Sequence, residues 1–251
     1  MQLVKKLRPS TGHPLTREEG FSLIELLIVL AVLLIITGSI FQVINMSTER
    51  SSTEQTKLDM FQEAREFMDQ MSRDLRQAGY PNPRNVLASV LTQTPTINDR
   101  HAAAGVVKID NGDLWFEGDV SGVGTVSVVV YHLDTSTSNG CPCLKRSQVD
   151  KVDGDPLTAQ PTPTYQVEVQ GVQNTNIFTP YNNGTAVGLP VTTASASGAT
   201  IAAVDTVQAI LTLQAAAVDP KTHQRPVTTL VSTVKLGNCS QAAIGAPMSC
   251  Q

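Results

Sequence analysis

Between Phe21 and Phe41 the chain reads FSLIELLIVLAVLLIITGSIF, twenty-one residues with a single charge, Glu25. As a helix rising 1.5 Å per residue this run spans roughly 31 Å, the thickness of a bilayer core. The residues before it are polar and positively biased, with Lys5, Lys6, Arg8 and Arg17 against Glu18 and Glu19. That asymmetry predicts Met1–Gly20 on the cytoplasmic side and everything after about Gln42 outside, with no second span downstream. A cleaved secretory signal would place its apolar core at Leu26–Ile36, but no Ala-x-Ala follows, only the weak Thr37-Gly38-Ser39. A plain single-pass anchor leaves Glu25 unexplained, because a carboxylate in hydrocarbon costs about 2.5 kcal/mol or more.

The position of the charge suggests a third reading. Gly20-Phe21-Ser22-Leu23-Ile24-Glu25 sets a small residue at the polar–apolar boundary and an acid five positions inside the apolar run. This string resembles the prepilin signature of type IV pilins and of type II secretion pseudopilins. The resemblance implies that a membrane peptidase cuts between Gly20 and Phe21 and that the new α-amine of Phe21 is N-methylated. It also implies that Glu25 pairs with the N-terminal amine of a neighbouring subunit during assembly. Such pairing makes a buried carboxylate tolerable, and the positive end of the helix dipole favours the acid further. The cut would leave 231 residues with 14 basic against 20 acidic side chains, a balance of −6.

Beyond Gln42, Leu58, Phe61, Ala64, Met68, Met71, Leu75 and Ala78 recur every three or four positions, an apolar stripe on a helix. Glu63, Arg65, Glu66, Asp69, Arg73, Asp74 and Arg76 fill the other positions, and Met68 and Met71 read as core packing rather than ligands. Gly79 suits the left-handed residue after a helix, and Pro81 prevents continuation. The spacing thus predicts one helix of up to about 58 residues, with Thr37, Gly38 and Ser39 as a soft point between its halves. The string from Ser72 to Tyr80, SRDLRQAGY, resembles the end of this helix in minor pilins of the PilW kind.

After Val86 the pattern changes to strands rich in Val and Thr, over 105–109, 114–117, 125–133, 165–172, 204–213 and 227–236. Turn residues dominate 118–124, 134–140 and 180–198, the last reading as the most mobile loop. Asp119, the strand at 125–133 and Leu144-Lys145-Arg146 together resemble the middle of minor pilins and of the J-type pseudopilin. One long helix followed by strands alone implies an α+β, type IV pilin-like fold, the helix packed on an antiparallel sheet. Domain boundaries follow: a leader at 1–20, a helix at 21–79 with 21–41 in the membrane, and a β-rich head at 80–251.

Four cysteines, Cys141, Cys143, Cys239 and Cys250, follow the span and so lie where oxidation is feasible. Closing Cys239 to Cys250 would make a loop of about a dozen residues worth roughly 3 kcal/mol. Pilins often close a C-terminal loop, and this pairing is the expectation. Cys141-Pro142-Cys143 would make a short link, and pairing of each with one C-terminal cysteine stays open.

Enzymatic, metal and nucleotide chemistry find little support. Cys141, Cys143 and His132 lack the paired spacing of a zinc site. Asp110-Asn111-Gly112-Asp113 and Asp119 lack the regular oxygen spacing and closing Glu of a calcium loop, so they read as turns. Four scattered histidines and no nucleophile, Walker or Rossmann motif argue against catalysis, and no cofactor is expected. A net charge of −4 argues against a broad basic face for nucleic acid. The expectation is a non-enzymatic minor subunit of a type IV pilus, active in pilus assembly or its priming complex. It would sit in the inner membrane with its head in the periplasm, then on the cell surface. The implied partners are other major and minor pilins, the prepilin peptidase and methyltransferase, an inner-membrane assembly platform and the membrane. A J-type pseudopilin and a pilus-tip adhesion or DNA-contact subunit are the alternatives.

Overall fold

The computed structural model describes residues 20–137, 140–194, 198–219 and 222–237. Helix α1 runs over Leu23–Gln77, 55 residues, or about 82 Å. Two compact units divide the chain, Met1–Glu49 and Arg50–Gln251, and the boundary falls inside α1.

In the first unit the described residues are exposed throughout, Phe21 at 82% and Leu34 and Ile35 at 70%. This stretch is long and apolar enough to cross a membrane. The helix continues through Thr37-Gly38-Ser39, the stretch expected as a soft point. The Thr37 hydroxyl donates to Leu33 O at 2.7 Å and the Ser39 hydroxyl to Ile35 O at 2.9 Å. These hydroxyls are thus satisfied within the helix, as an apolar medium requires.

In the second unit, α1 from Arg50 lies on two antiparallel sheets. The first sheet contains β1 (Val106–Ile109), β2 (Asp113–Gly118), β3 (Ser127–Asp134), β4 (Cys143–Asp150), β5 (Gln166–Gln170) and β8 (Val191–Thr192). Their order is β5-β4-β3-β2-β1-β8. The second contains β6 (Phe178–Asn182), β7 (Thr185–Ala186), β9 (Thr206–Gln214) and β10 (Val227–Lys235), in the order β10-β9-β6-β7. Two 3₁₀ turns, Pro83–Asn85 and Thr96–Asn98, and a short helix α2, Gly198–Ala202, complete the described elements.

One apolar core joins the helix to both sheets. Ala64, Phe67, Met68, Met71 and Leu75 meet Leu114, Phe116, Val129, Tyr131 and Leu144 of the first sheet and Val207, Ala209, Leu211 and Leu213 of the second. Strand alternation explains the selection, since Val129 and Tyr131 point to the helix and Val128 and Val130 to the opposite face. Near that opposite face Ile97, Ala104 and Val107 form a second cluster with Trp115 and Leu157. The whole is the α+β arrangement of a type IV pilin-like fold.

Several expectations change. Among the described residues the head is not built of strands alone on one sheet: they form two sheets, and α2 follows β8. The segment 180–198, read as a loop, contributes to β6 and holds β7 and β8. Its hydrogen bonds include a long-range one, Thr193 N–H to Val107 O at 2.9 Å, that composition does not display. Strand β4 was not foreseen because Lys145, Arg146, Ser147 and Gln148 break the apolar alternation. On α1, Leu58 (59% exposed) and Phe61 (41%) lie off the buried face, while Phe67 and Asp74 lie on it. Five of the seven expected stripe residues, Ala64, Met68, Met71, Leu75 and Ala78, are buried as expected, and the departures are Leu58 and Phe61.

Candidate functional site: the helix start and the helix–sheet clamp

Gly20, Phe21 and Ser22 precede the helix in non-helical, exposed backbone. Glu25 N–H and Leu26 N–H both donate to Ser22 O, at 3.0 and 3.1 Å, so the first turn closes immediately after the Gly20–Phe21 bond. Among the described residues nothing lies within 4 Å of a Cβ built at Gly20, and Phe21 is 82% exposed. Glu25 is the acidic residue of the first turn, where the helix dipole favours it. Sequence spacing thus brings Gly20, Phe21 and Glu25 together at one helix end.

At the other end of α1 a polar clamp holds the helix to the first sheet. Asp74, nearly buried, accepts the Tyr131 hydroxyl at 2.8 Å and the Arg146 Nε at 3.0 Å. The Arg146 guanidinium closes an ion pair with Asp74 at 2.9 Å and also donates to Gln148 Oε1 at 2.8 Å. Burial, reinforced by the Asp74 carboxylate, drives the Tyr131 phenol well above its ordinary value of 10.0. Burial pulls the Arg146 guanidinium down, but Asp74 and Tyr131 together hold the cation above its ordinary range. Phe67 completes the clamp with an edge-to-face contact to Tyr131, ring centres 5.5 Å apart. Helix α1 ends as Gly79, at φ 82°, gives its N–H to Glu117 O at 2.9 Å instead of to the helix. Gly118 fits beneath: a Cβ there would sit 2.4 Å from Gln77 O.

Glu117 and Lys151 form a fully buried ion pair at 2.6 Å. Lys151 Nζ also donates to Ile97 O and Ala102 O, pinning the loop before β1. Burial pushes the Glu117 carboxyl up, opposed by the Lys151 charge. Asp99 binds the same loop through N–H groups of Thr92, Gln93 and His101. Burial alone would raise Asp99, but these donors hold it well below the carboxylate range.

The structure joins Cys141 to Cys143 in a disulfide, so the reading in which each pairs with a C-terminal cysteine is not the one adopted. Cys239 and Cys250 lie outside the described residues. A three-residue closure is worth only about 1.6 kcal/mol of chain entropy, against about 3 for a 15-residue loop. Among the described residues the one grouping of metal-ligating type is Asp134 with these two cysteines, and the bridge engages both sulfurs. His132 instead pairs with Asp113 at 2.7 Å. Asp119 accepts backbone N–H groups of Val123 and Gly124, and Asp110 accepts Asn111 N–H, as turns require. Asp74, Tyr131 and Arg146 escaped the sequence reading. The one available signal was that Asp74 lies three residues beyond Met71 and four before Ala78, on the apolar stripe itself.

Residues 15–41 match the family model of the prokaryotic N-terminal methylation motif. The match covers Gly20, Phe21, Glu25 and the apolar run. This segment carries the signature of type IV pilin-like prepilins, structural proteins of pilin or pseudopilin type, and fits a single-pass membrane anchor. No curated protein matches the chain.

Proposed function

We propose that the chain is a minor type IV pilin of the PilW kind, processed between Gly20 and Phe21, N-methylated on Phe21 and incorporated into a pilus or its priming complex. The observation that carries this reading is the methylation-motif match over the Gly20–Phe21 bond, directly ahead of an exposed apolar helix start. In lipid that helix is solvated by hydrocarbon. Extraction would expose large side chains, each worth about 1.5–3 kcal/mol of burial, unless helices of other pilins replace the lipid. The head then stands on the periplasmic side and later on the cell surface, where Cys141–Cys143 can persist oxidised. The assembly platform, the peptidase-methyltransferase and other pilins are the partners this role requires.

A deletion strain scored in parallel for sheared surface filaments and for proteins secreted to the medium tests the reading. Loss of filaments with normal secretion is the expected result. Loss of secretion with filaments intact would assign the chain to the J-type pseudopilins instead.

A further inference from the structure

The Cys141–Cys143 bridge does little for the fold. It closes three residues, while β3, β4 and β5 are already held by their ladders: Asp134 lies opposite Cys143, and Cys143 opposite Gln170. By thermodynamic reciprocity, a bond that adds little to folding is in turn little protected by it. The two sulfurs are also placed unequally. Cys141, 8% exposed, lines a cleft of about 480 Å³, whereas Cys143 is fully buried and does not. The cleft runs between α1 and the ends of β5 and β9, lined by Thr56, Met60, Glu63, Gln170, Gln214 and Arg225. Its walls join apolar groups, among them Met60, Pro142, Ala215 and Ala216, to polar groups and both signs of charge, a lining suited to an extended polypeptide.

We propose that Cys141–Cys143 is a thiol–disulfide exchange site whose substrate is a polypeptide carrying two cysteine thiols, approaching along this cleft. A substrate thiolate attacks Sγ of Cys141. The new S–S bond forms as the Cys141–Cys143 bond breaks, and the electron pair leaves on Sγ of Cys143, which takes up a proton. The second substrate thiolate then attacks the substrate sulfur of the mixed disulfide, and Cys141 leaves and is protonated. The substrate dithiol becomes a disulfide, and this pair becomes two thiols. Exposure decides the polarity, since exchange rates depend on which sulfur can be reached.

The full chain in detergent micelles, equilibrated with reduced dithiothreitol, quenched by alkylation and peptide-mapped, reads Cys141 and Cys143 separately from the other cysteines. The pair should open while circular dichroism still reports a folded protein. In oxidised glutathione, the Cys143→Ser chain should trap a glutathionyl adduct at Cys141 about tenfold faster than the Cys141→Ser chain traps one at Cys143. A pair that opens only when the protein unfolds, or equal trapping by the two variants, overturns the proposal. Because the first measurement uses the native chain, a variant that fails to fold does not shield it.

Discussion

At the scale of single residues, two carboxylates carry opposite lessons about burial. Asp74 is nearly buried, and Arg146 and Tyr131 come to it from two strands. Removing it leaves the guanidinium with Gln148 in place of a counter-charge, so Asp74→Ala should cost about 3 kcal/mol, read as a lowered thermal midpoint of the full chain in micelles. Asp99 is held by backbone donors, which favour its charged form below the ordinary value of 3.8. The folded state therefore binds its proton less readily than the unfolded one. Its stabilisation is complete above pH 3.8 and is lost progressively as pH falls below that value. Asp99→Asn should lower stability at neutral pH by about 1–3 kcal/mol and flatten the acid limb of a stability–pH curve. An unchanged acid limb would show that the Asp99 turn does not contribute.

Among elements, α1 teaches most. Its period and most of its buried face are legible in the sequence, since Ala64, Met68, Met71 and Leu75 are buried as the stripe predicts, while Phe67 and Asp74 widen that face and Leu58 and Phe61 lie off it. Phe67 packs on Tyr131 and Phe61 lies at the margin, 41% exposed. Phe67→Ala should destabilise by about 3–5 kcal/mol, and Phe61→Ala by less than about 1 kcal/mol, in the same denaturation assay. Reversal of that order would mean the helix docks by its other face. Strand β4 shows the complementary failure. Its charged residues broke the alternation, and they are tolerated because each has a partner: Lys145 with Asp134, Arg146 with Asp74. Where the strand signal is clear, as in the apolar run of β3 and the alternation of β9, the strands fall within a residue or two of their expected ends.

For the whole molecule, the second unit closes its core over one end of α1, while the described residues of the first unit leave theirs exposed. Exposed apolar surface of that extent needs lipid or other helices, and one carboxylate within it needs a counter-charge. Glu25→Ala should therefore leave leader cleavage intact, seen as the same shift in mobility or mass, while reducing incorporation into sheared filaments severalfold. Filaments containing the variant at the wild-type level would remove the role assigned to Glu25.

The membrane-length apolar run, the polar–apolar boundary at Gly20–Phe21, the acid at Glu25 and the end of the helical period near Gly79 are legible in the sequence alone. These are local: transfer from water and the periods of helix and strand act on each residue or its near neighbours. Long-range packing adds Phe67 and Asp74 to the buried face of α1, makes β4 a strand, sets two sheets around one core and pairs Cys141 with Cys143. Asp74 meets Tyr131 57 positions away and Arg146 72 positions away. Burial of a charge depends on partners that far along the chain, and they become neighbours only when the sheets have formed.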